Sequence, residues 1–599
     1  MINKFKIYLI IFTFLISTSA FAVNFSSDKT INTDTVEQQK FNDTDLTLTI
    51  KSGKTLSRNG SMVIHVNSKN NSTIIVESDA NVFSIGSSSS NAIQGKTQTG
   101  LTVTNFGTIS AGSSKAINLM DAINSTVTNN DGAVIKSNTN TVTFTQNSVT
   151  EPDNATITNS GEIFAGAVTT NGTANNAVKA ESDTNNVTIT NNATGYIHNN
   201  NNASSALNGS TVFIGAVSKG TLTNSGKIEN KAGVDAFVLG VAGKGNTITL
   251  KDGGRIIGKI NINGEEHTIK VQHGAGQSYY YPTFGTGEYK LEDLDGNQIV
   301  KGSIGSVSQN GSENIDEQLG YRSLNLRKTL NRYKISESYN QQATWADTYA
   351  SYSKRNENTG RLAMGYGMSS AAINIIRPLN NKNLILNYES SKQDFNKNHG
   401  IKKDSVLAGV SFEDKKNNND TFILAGASRH NSKRNILTNT TASGDLDLID
   451  NYSSYEFHFG NKFENDLAPA LGINVSHSYT PKHSESQFYK WDKKHVTNLS
   501  LDLSDNYNLI NSGNSKLIFS WILDGRKMFF GNSQAYSING SEEKFFQNDN
   551  LTEEATLSLG INYEKKLLKS GKLLISFDGQ QSSQDVTAIN ANVAYVLQM

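Results

Sequence analysis

A short phrase keeps returning in the first half of this chain. TNFGTI at 104–109 reappears as TNNDGAVI at 128–135, TNSGEI at 158–163, TNNATGYI at 190–197 and TNSGKI at 223–228. Recurrence constrains a chain more than composition does, because each copy is too small to bury its own apolar side and must stack on the next. The asparagines at 105, 129, 159, 191 and 224 are 24, 30, 32 and 33 residues apart, a spacing that indicates a solenoid.

The grammar of one unit is that of a strand, a corner and a strand. In LTVTNFGTI, Thr102 and Thr104 alternate with Leu101 and Val103, so one face is buried. Asn105 is read as turning the strand end, because asparagine tolerates left-handed backbone, and Gly107 as finishing the bend. Ile109 then points into the core. Asn129, Asn159 with Gly161, Asn191, and Asn224 with Gly226 repeat these roles, and TITLKDGGRI (247–256) is a degenerate copy. The expectation is a right-handed β-helix with asparagines stacked between coils, about ten coils at roughly 4.8 Å each. A β-sandwich with coincident turns is the alternative.

Little in this half proposes chemistry. Its histidines are His65, His198, His267 and His273, with no metal-ligand spacing, and Arg58 and Arg255 are its only arginines. GxSxG and GGxGxD motifs are missing. Asp79, Asp121, Asp131, Asp153, Asp183 and Asp235 are spread out and read as solvated loop residues. No catalytic, metal or cofactor site is expected, although a glycan-active enzyme on the solenoid remains an alternative. Lys+Arg and Asp+Glu both total 54, without a basic block, which gives no footprint for nucleic acid. With no cysteine, disulfides and thiolate metal sites are excluded.

The ends and the middle carry other signals. MINKFKIYLIIFTFLISTSAFA has Lys4 and Lys6, an apolar run from Ile7 to Ile16, and small residues at Ala20 and Ala22. It reads as a signal peptide (1–22) cleaved after Ala22. Residues 23–310 form the solenoid, of which 250–310 is a cap rich in aromatics. Tyr279, Tyr280 and Tyr281 close its apolar end or, alternatively, offer a glycan-stacking platform. Residues 311–338 hold the best helix, with Leu326, Leu330 and Tyr333 on one stripe and Arg322, Arg327, Lys328, Arg332 and Lys334 on the remainder. Such a helix suits a polar barrel lumen, and a surface linker is the alternative.

From 339 to 599 the pattern is strict alternation. We count twelve segments: 343–354, 360–376, 382–394, 403–414, 420–431, 450–464, 466–481, 494–506, 515–528, 552–567, 570–581 and 587–599. In the last, Ile589, Ala591, Val593, Tyr595, Leu597 and Met599 share one face. Twelve is even, as a closed antiparallel transmembrane barrel requires. Trp345, Tyr349, Tyr352, Tyr388, Tyr455, Phe457, Phe459, Trp521 and Tyr563 include candidates for an interfacial girdle. Tight turns such as 567–574 alternate with long polar connections such as 432–449 and 529–551.

Taken together, these segments resemble a monomeric autotransporter of type V secretion, along essentially the whole chain. The most specific stretch is WADTYASYSKR (345–355), similar to that family's first barrel strand through Trp345, Tyr349 and Tyr352, followed by RLAMGYGMS. The resemblance implies an all-β fold: a β-helical passenger, an autochaperone-like segment at 250–310, a lumenal helix, and a twelve-stranded β-barrel. It implies outer-membrane lipid, barrel-assembly machinery and periplasmic chaperones as partners, and a glycan or surface ligand for the passenger. The function implied is anchoring and surface display of an adhesive or structural rod, with no enzymatic activity. A barrel acting mainly as a pore is a further alternative. Two departures stand out. The chain ends in Met599, where such barrels usually end in an aromatic, and Asn325 and Asn331 are isolated, whereas self-cutting relatives have adjacent asparagines.

Overall fold

In this computed structural model the described residues are 22–86, 90–146, 153–166, 175–181, 185–200, 209–215, 218–231, 235–240, 243–300, 304–307, 312–336, 343–356, 365–380, 382–397, 399–414, 416–465, 468–531, 533–538, 544–547, 553–567 and 571–597. Two compact units emerge, one containing the repeat region and one containing the helix and the C-terminal strands.

The repeat region is a parallel three-sheet solenoid, with sheets of eleven, eleven and eight strands. One coil shows how it runs. Thr102–Asn105 lies in one sheet, Thr108–Ala111 in the second and Ile117–Met120 in the third, and Thr126–Asn129 returns to the first, paired in parallel with Thr102–Asn105. The register matches like with like: Val103 against Val127, Val127 against Ile157, Ile157 against Ile189. Ile109, Ile135, Ile163, Ile197 and Ile228 form a second fully buried column. Each such side chain removed from water contributes about 1.5–3 kcal/mol of gross stabilisation.

The asparagines stack as expected and end their strands at a bend, where Asn105 Oδ1 accepts from Gly107 N at 3.2 Å, but they do so without the left-handed backbone that was expected. Asn105, Asn129, Asn159, Asn191 and Asn224 end their strands with the side chain pointing inward, all fully buried. Each of the first four donates from Nδ2 to the next Oδ1 at 2.8 Å. None adopts positive φ, and neither do Gly107, Gly161 and Gly226. Those glycines are required by space: a Cβ would lie 2.3 Å from the Ala80 carbonyl oxygen at Gly107, 2.2 Å from that of Ala133 at Gly161, and 2.3 Å from that of Asn192 at Gly226. The left-handed residue is elsewhere, two positions before the first threonine of successive strands in this sheet, at Asp45, Asn71, Gly100, Asn124, Asn154, Asn186, Lys219, Gly245 and Glu266, with φ between 51° and 76°. Val76 and Leu250 occupy the ladder position in the coils on either side, so the amide column ends in apolar residues.

The second unit is a closed antiparallel barrel of twelve strands: Thr344–Arg355, Tyr366–Leu379, Lys382–Phe395, His399–Asp414, Asn419–Thr438, Asp445–Asn465, Ala468–Thr480, Lys494–Ser512, Ser515–Phe530, Glu553–Lys566, Gly571–Ser582 and Val586–Leu597. Closure comes from the first and last strands, which pair from Thr344↔Leu597 to Arg355↔Val586. Each expected segment overlaps one of these strands. The expected long loop at 432–449 is mostly strand instead. The fifth and sixth strands continue as a hairpin to a six-residue connection at 439–444, held by Asn435 Nδ2 donating to Asp447 Oδ1 at 2.8 Å. The connection 481–493 and the expected loop at 529–551 contain His483–Glu485, Tyr489–Trp491, Ser533–Ile538 and Lys544–Gln547, which pair into a four-stranded antiparallel sheet. Connections are short (380–381, 415–418, 466–467, 513–514, 567–570) at one end of the barrel. The other end carries the longer ones (356–365, 439–444, 481–493 and 531–552) together with two of three residues (396–398 and 583–585).

Candidate functional site: the barrel lumen

Alternation gives the barrel two different surfaces. The outward positions are apolar on all twelve strands, among them Tyr352, Ile373, Tyr388, Val406, Ile423, Tyr455, Ile473, Leu501, Leu523, Leu559, Phe577 and Val593, each at least a third exposed. A belt of this kind, continuous around a closed barrel, far exceeds the apolar patches that soluble proteins leave in water, and it matches the hydrocarbon band of a membrane. Among the described residues no helix is long and apolar enough to cross a membrane, and the apolar belt is carried by the strands.

The inward positions are mostly polar, and they face the helix Ser312–Ile335. Its sequence favours a helix: arginine, lysine, leucine, glutamate and glutamine lose little rotamer freedom there, and Arg332 and Lys334 in the last turn oppose the negative end of the dipole. Leu326 and Tyr333 are buried, with Leu330 packed alongside, against Trp345, Ile376, Leu407, Phe422, Leu424 and Val596 of the barrel wall. The five cations of the other faces each meet a carboxylate. Arg322 reaches Glu456 at 3.4 Å and donates to Asn387 Oδ1 at 2.7 Å. Arg327 Nη1 lies 2.7 Å from Asp502 and 2.8 Å from Asp524. Arg332 pairs with Asp347 at 2.8 Å, Lys334 with Glu464 at 2.7 Å and with Asp420, and Lys328 with Asp578. Glu317, near the start of the helix, receives Arg355 at 2.9 Å.

These acids come from the first, fifth, sixth, eighth, ninth and eleventh strands, so the helix is held from most of the circumference. Buried charges require such pairing, since removing one partner leaves the other desolvated. Beside the C-terminal half of the helix a cavity of about 80 Å³ is lined by Asn331, Tyr333, Asn461, Lys462, Asn474 and Ser504. It has room for a few waters and none for a translocating chain.

The residues singled out in the sequence are distributed as follows. Trp345 and Tyr349 face the lumen, at 0% and 6% exposure, so neither belongs to a girdle, and the Tyr349 hydroxyl donates to Glu389. Tyr352, three residues beyond Tyr349, has opposite parity and faces outward. Val593 and Tyr595 also face outward, and Leu597 pairs with Thr344 and Gly571. Ala22 opens a solenoid strand paired with Gln38, while Ala20, the rest of the signal segment and Met599 lie outside the described residues. Tyr279 and Tyr281 are buried, at 0% and 1% exposure, and so present no stacking platform.

One cluster escaped the sequence reading. On the outer face of the eight-stranded sheet, Glu162 and Phe164, Tyr196 and His198, and Lys227 and Glu229 fall in register across three coils. His198 stacks on Tyr196 at 4.0 Å and lies tilted against Phe164 at 4.5 Å between centroids, and its Nε2 meets Glu162 Oε1 at 2.6 Å. The Tyr196 hydroxyl donates to Glu229. The residues are about thirty apart in sequence, and only the coil period, read one strand further on at EIF, YIH and KIE, would have revealed them. With His198 buried and its Nε2 already paired, the cluster has the form of a structural stack.

The fold and the lumen therefore define a membrane-spanning β-barrel that carries a charged helix inside and is preceded by a parallel β-solenoid. This is the order of parts that the autotransporter resemblance implies. Solved structures to which the chain is similar include the translocator domain of the autotransporter NalP from Neisseria meningitidis, with 11% identity and a TM-score of 0.32 over 46% of this chain and 98% of that one. The transport unit of the autotransporter AIDA-I from Escherichia coli has 9% identity and a TM-score of 0.30 over 43% and 91%. The Pseudomonas putida toluene transporter TodX has 7% identity and a TM-score of 0.29 over 45% and 94%. No protein-family model matches the sequence, and no curated protein does.

Proposed function

We propose that this protein is an outer-membrane autotransporter, which anchors its own β-helical passenger and displays it at the cell surface as a non-enzymatic adhesive or structural rod. The observation that carries the reading is the helix Ser312–Ile335. It follows the solenoid directly in the chain, and it sits in the lumen with five cations paired to acids on six strands. A surface linker would not need that complementarity. Secretion would proceed with the carboxyl end of the passenger leaving first. Each completed coil would template the next and bias movement outward, because stacking buries isoleucine and valine columns at about 25 cal/mol per Å². Backbone ordering would offset much of that gain. The long-connection end of the barrel would face outside and the tight-turn end the periplasm, as in barrels of this kind. Outer-membrane lipid, periplasmic chaperones and the barrel-assembly machinery are the partners this route requires.

Protease shaving of intact cells tests the proposal, with antibodies against residues 23–310 and against 339–599. Loss of the first signal with retention of the second in the outer membrane is the expected result. Resistance of both until lysis would overturn display.

A further inference from the structure

The repeat carries a second regularity, on the outside of the solenoid. Six successive coils place Thr-x-Thr in the sheet that contains Thr102–Asn105, at 102–104, 126–128, 156–158, 188–190, 221–223 and 247–249. The middle residue of each is buried, and both threonines are partly exposed on the outer face. The first threonines belong to an unbroken row of nine, which starts at Thr47 and Thr73 and ends at Thr268. The second belong to a row from Thr30 to Thr249, interrupted only by Ile75. At the C-terminal end the rows give way to charge, at Lys290 and Lys270. The other two outer faces show nothing comparable. Asn81, Thr108, Val134, Glu162, Tyr196 and Lys227 succeed one another on the eight-stranded sheet. His65, Gln94, Asn118, Thr143, Lys179 and Phe213 do so on the other eleven-stranded one. Threonine suits any exposed strand, so propensity alone would have spread it over all three faces.

We propose that this threonine face is a binding site for ice. Neighbouring coils repeat at about 4.8 Å, and the two rows stand about 6.6 Å apart along the strand. The face therefore offers an uncharged lattice of hydroxyl and methyl groups, with a repeat close to that of the oxygen atoms on a face of ice. Threonine is stiff at χ1, so the lattice is ordered before it meets water, and little rotamer freedom is lost on contact. Thr221 Oγ1 donates to Thr188 Oγ1 at 3.2 Å, which links hydroxyls along a row. Other partners fit less well. A protein interface needs anchors such as tryptophan, tyrosine and arginine, and threonine is scarce among them. A second copy would meet a face of roughly 40 by 13 Å, about 500 Å², short of the roughly 800 Å² per partner of a stable pair. A glycan would call for aromatic rings or for charged and amide groups, and neither row contains one between Thr47 and Thr249. The site itself needs only the solenoid. Its use, to hold a cell against ice, rests on the reading of the passenger as a displayed adhesive rod.

The full-length protein, purified in detergent micelles, tests the face apart from display. A single ice crystal is grown slowly in the solution, and the share of protein taken into the ice is compared with that of empty micelles. Native protein should be enriched in the ice and should facet the crystal. Thr158→Tyr with Thr190→Tyr, which raises two rings in the middle of the array, should abolish the enrichment. Thr108→Tyr, on the outer face of the eight-stranded sheet, should leave it unchanged. Trypsin resistance of the solenoid reports its folding. Should the double substitution fail to fold, Thr158→Ser with Thr190→Ser removes only two methyl groups and should still lower the share in ice. Exclusion of the native protein from ice would overturn the proposal, and so would equal enrichment of the folded Thr158→Tyr, Thr190→Tyr variant. Adsorption to crystalline cellulose, or pairing of copies, without enrichment in ice would overturn it as well. A protein that ice excludes but that protease still shaves from intact cells would leave display standing, so the two failures are separately visible.

Discussion

At the scale of single residues, the buried amide column is the feature most sensitive to change. Asn159 accepts from Asn129 and donates to Asn191, each at 2.8 Å, and also donates to the Gly161 carbonyl oxygen at 3.0 Å. Asn159→Leu would leave the Asn191 oxygen and one Asn129 proton without that partner in a dry core. An unsatisfied buried group costs about 1–3 kcal/mol. Hydrogen exchange of residues 126–191 in the full-length protein should therefore accelerate by one to two orders of magnitude, while exchange in the barrel stays unchanged. Asn105, Gly107 and their equivalents were legible in the sequence as a repeating unit at a bend, but the way they make it was not. Asparagine and glycine are the usual residues of left-handed corners, so sequence reasoning placed them there. The structure instead assigns asparagine to the ladder and glycine to a close approach of backbones.

At the scale of elements, the helix and the solenoid make different kinds of prediction. Arg327 is shared by Asp502 and Asp524, all three at most 9% exposed. Arg327→Met strands two acids in the lumen and should cost about 3–5 kcal/mol. It would be read as a lower temperature for the loss of heat-modifiable migration, with substantial recovery in Arg327→Met, Asp502→Asn, Asp524→Asn. In the solenoid, burial pushes His198 below the usual imidazole range, and it does the same for His65 and His267. The unfolded chain then binds more protons than the folded one below about pH 6.5, so stability should fall as pH drops through that value toward the folded pKa values. Exchange of residues 185–231, corrected for intrinsic chemistry, should be faster at pH 5 than at pH 7.5, and His198→Gln should flatten part of that dependence. No acceleration in the native protein would contradict the sign. Element types were readable because strand alternation and helical spacing are local. This four-stranded sheet was not, since its short strands pair only with one another, across about forty residues of intervening, mostly barrel sequence.

At the scale of the whole molecule, the apolar belt decides where the second unit can reside. Leu559 sits near the middle of the tenth strand and is 47% exposed, whereas Ser558 beside it faces the lumen at 3%. A cation at the bilayer midplane costs about 2–4 kcal/mol and close to nothing near the interfaces. Leu559→Arg should therefore lower the unfolding free energy, read by denaturant titration in lipid vesicles, by that amount, and Glu553→Arg, at the strand end, by much less. Equal effects of the two substitutions would count against a bilayer around these strands.

The sequence by itself determined the parts: a stacked repeat, one charged helix and twelve alternating segments. Each of these follows from a periodicity of 2, 3.6 or about 30 that short stretches of chain carry on their own. Only the tertiary structure decided which amides form the column, that Trp345 and Tyr349 turn inward, which acids receive the five helix cations, and that two distant connections pair into one sheet. Those outcomes depend on register and on closure of the barrel. Both are set by where residues far apart in sequence come to lie once the chain has folded, and no local pattern records that.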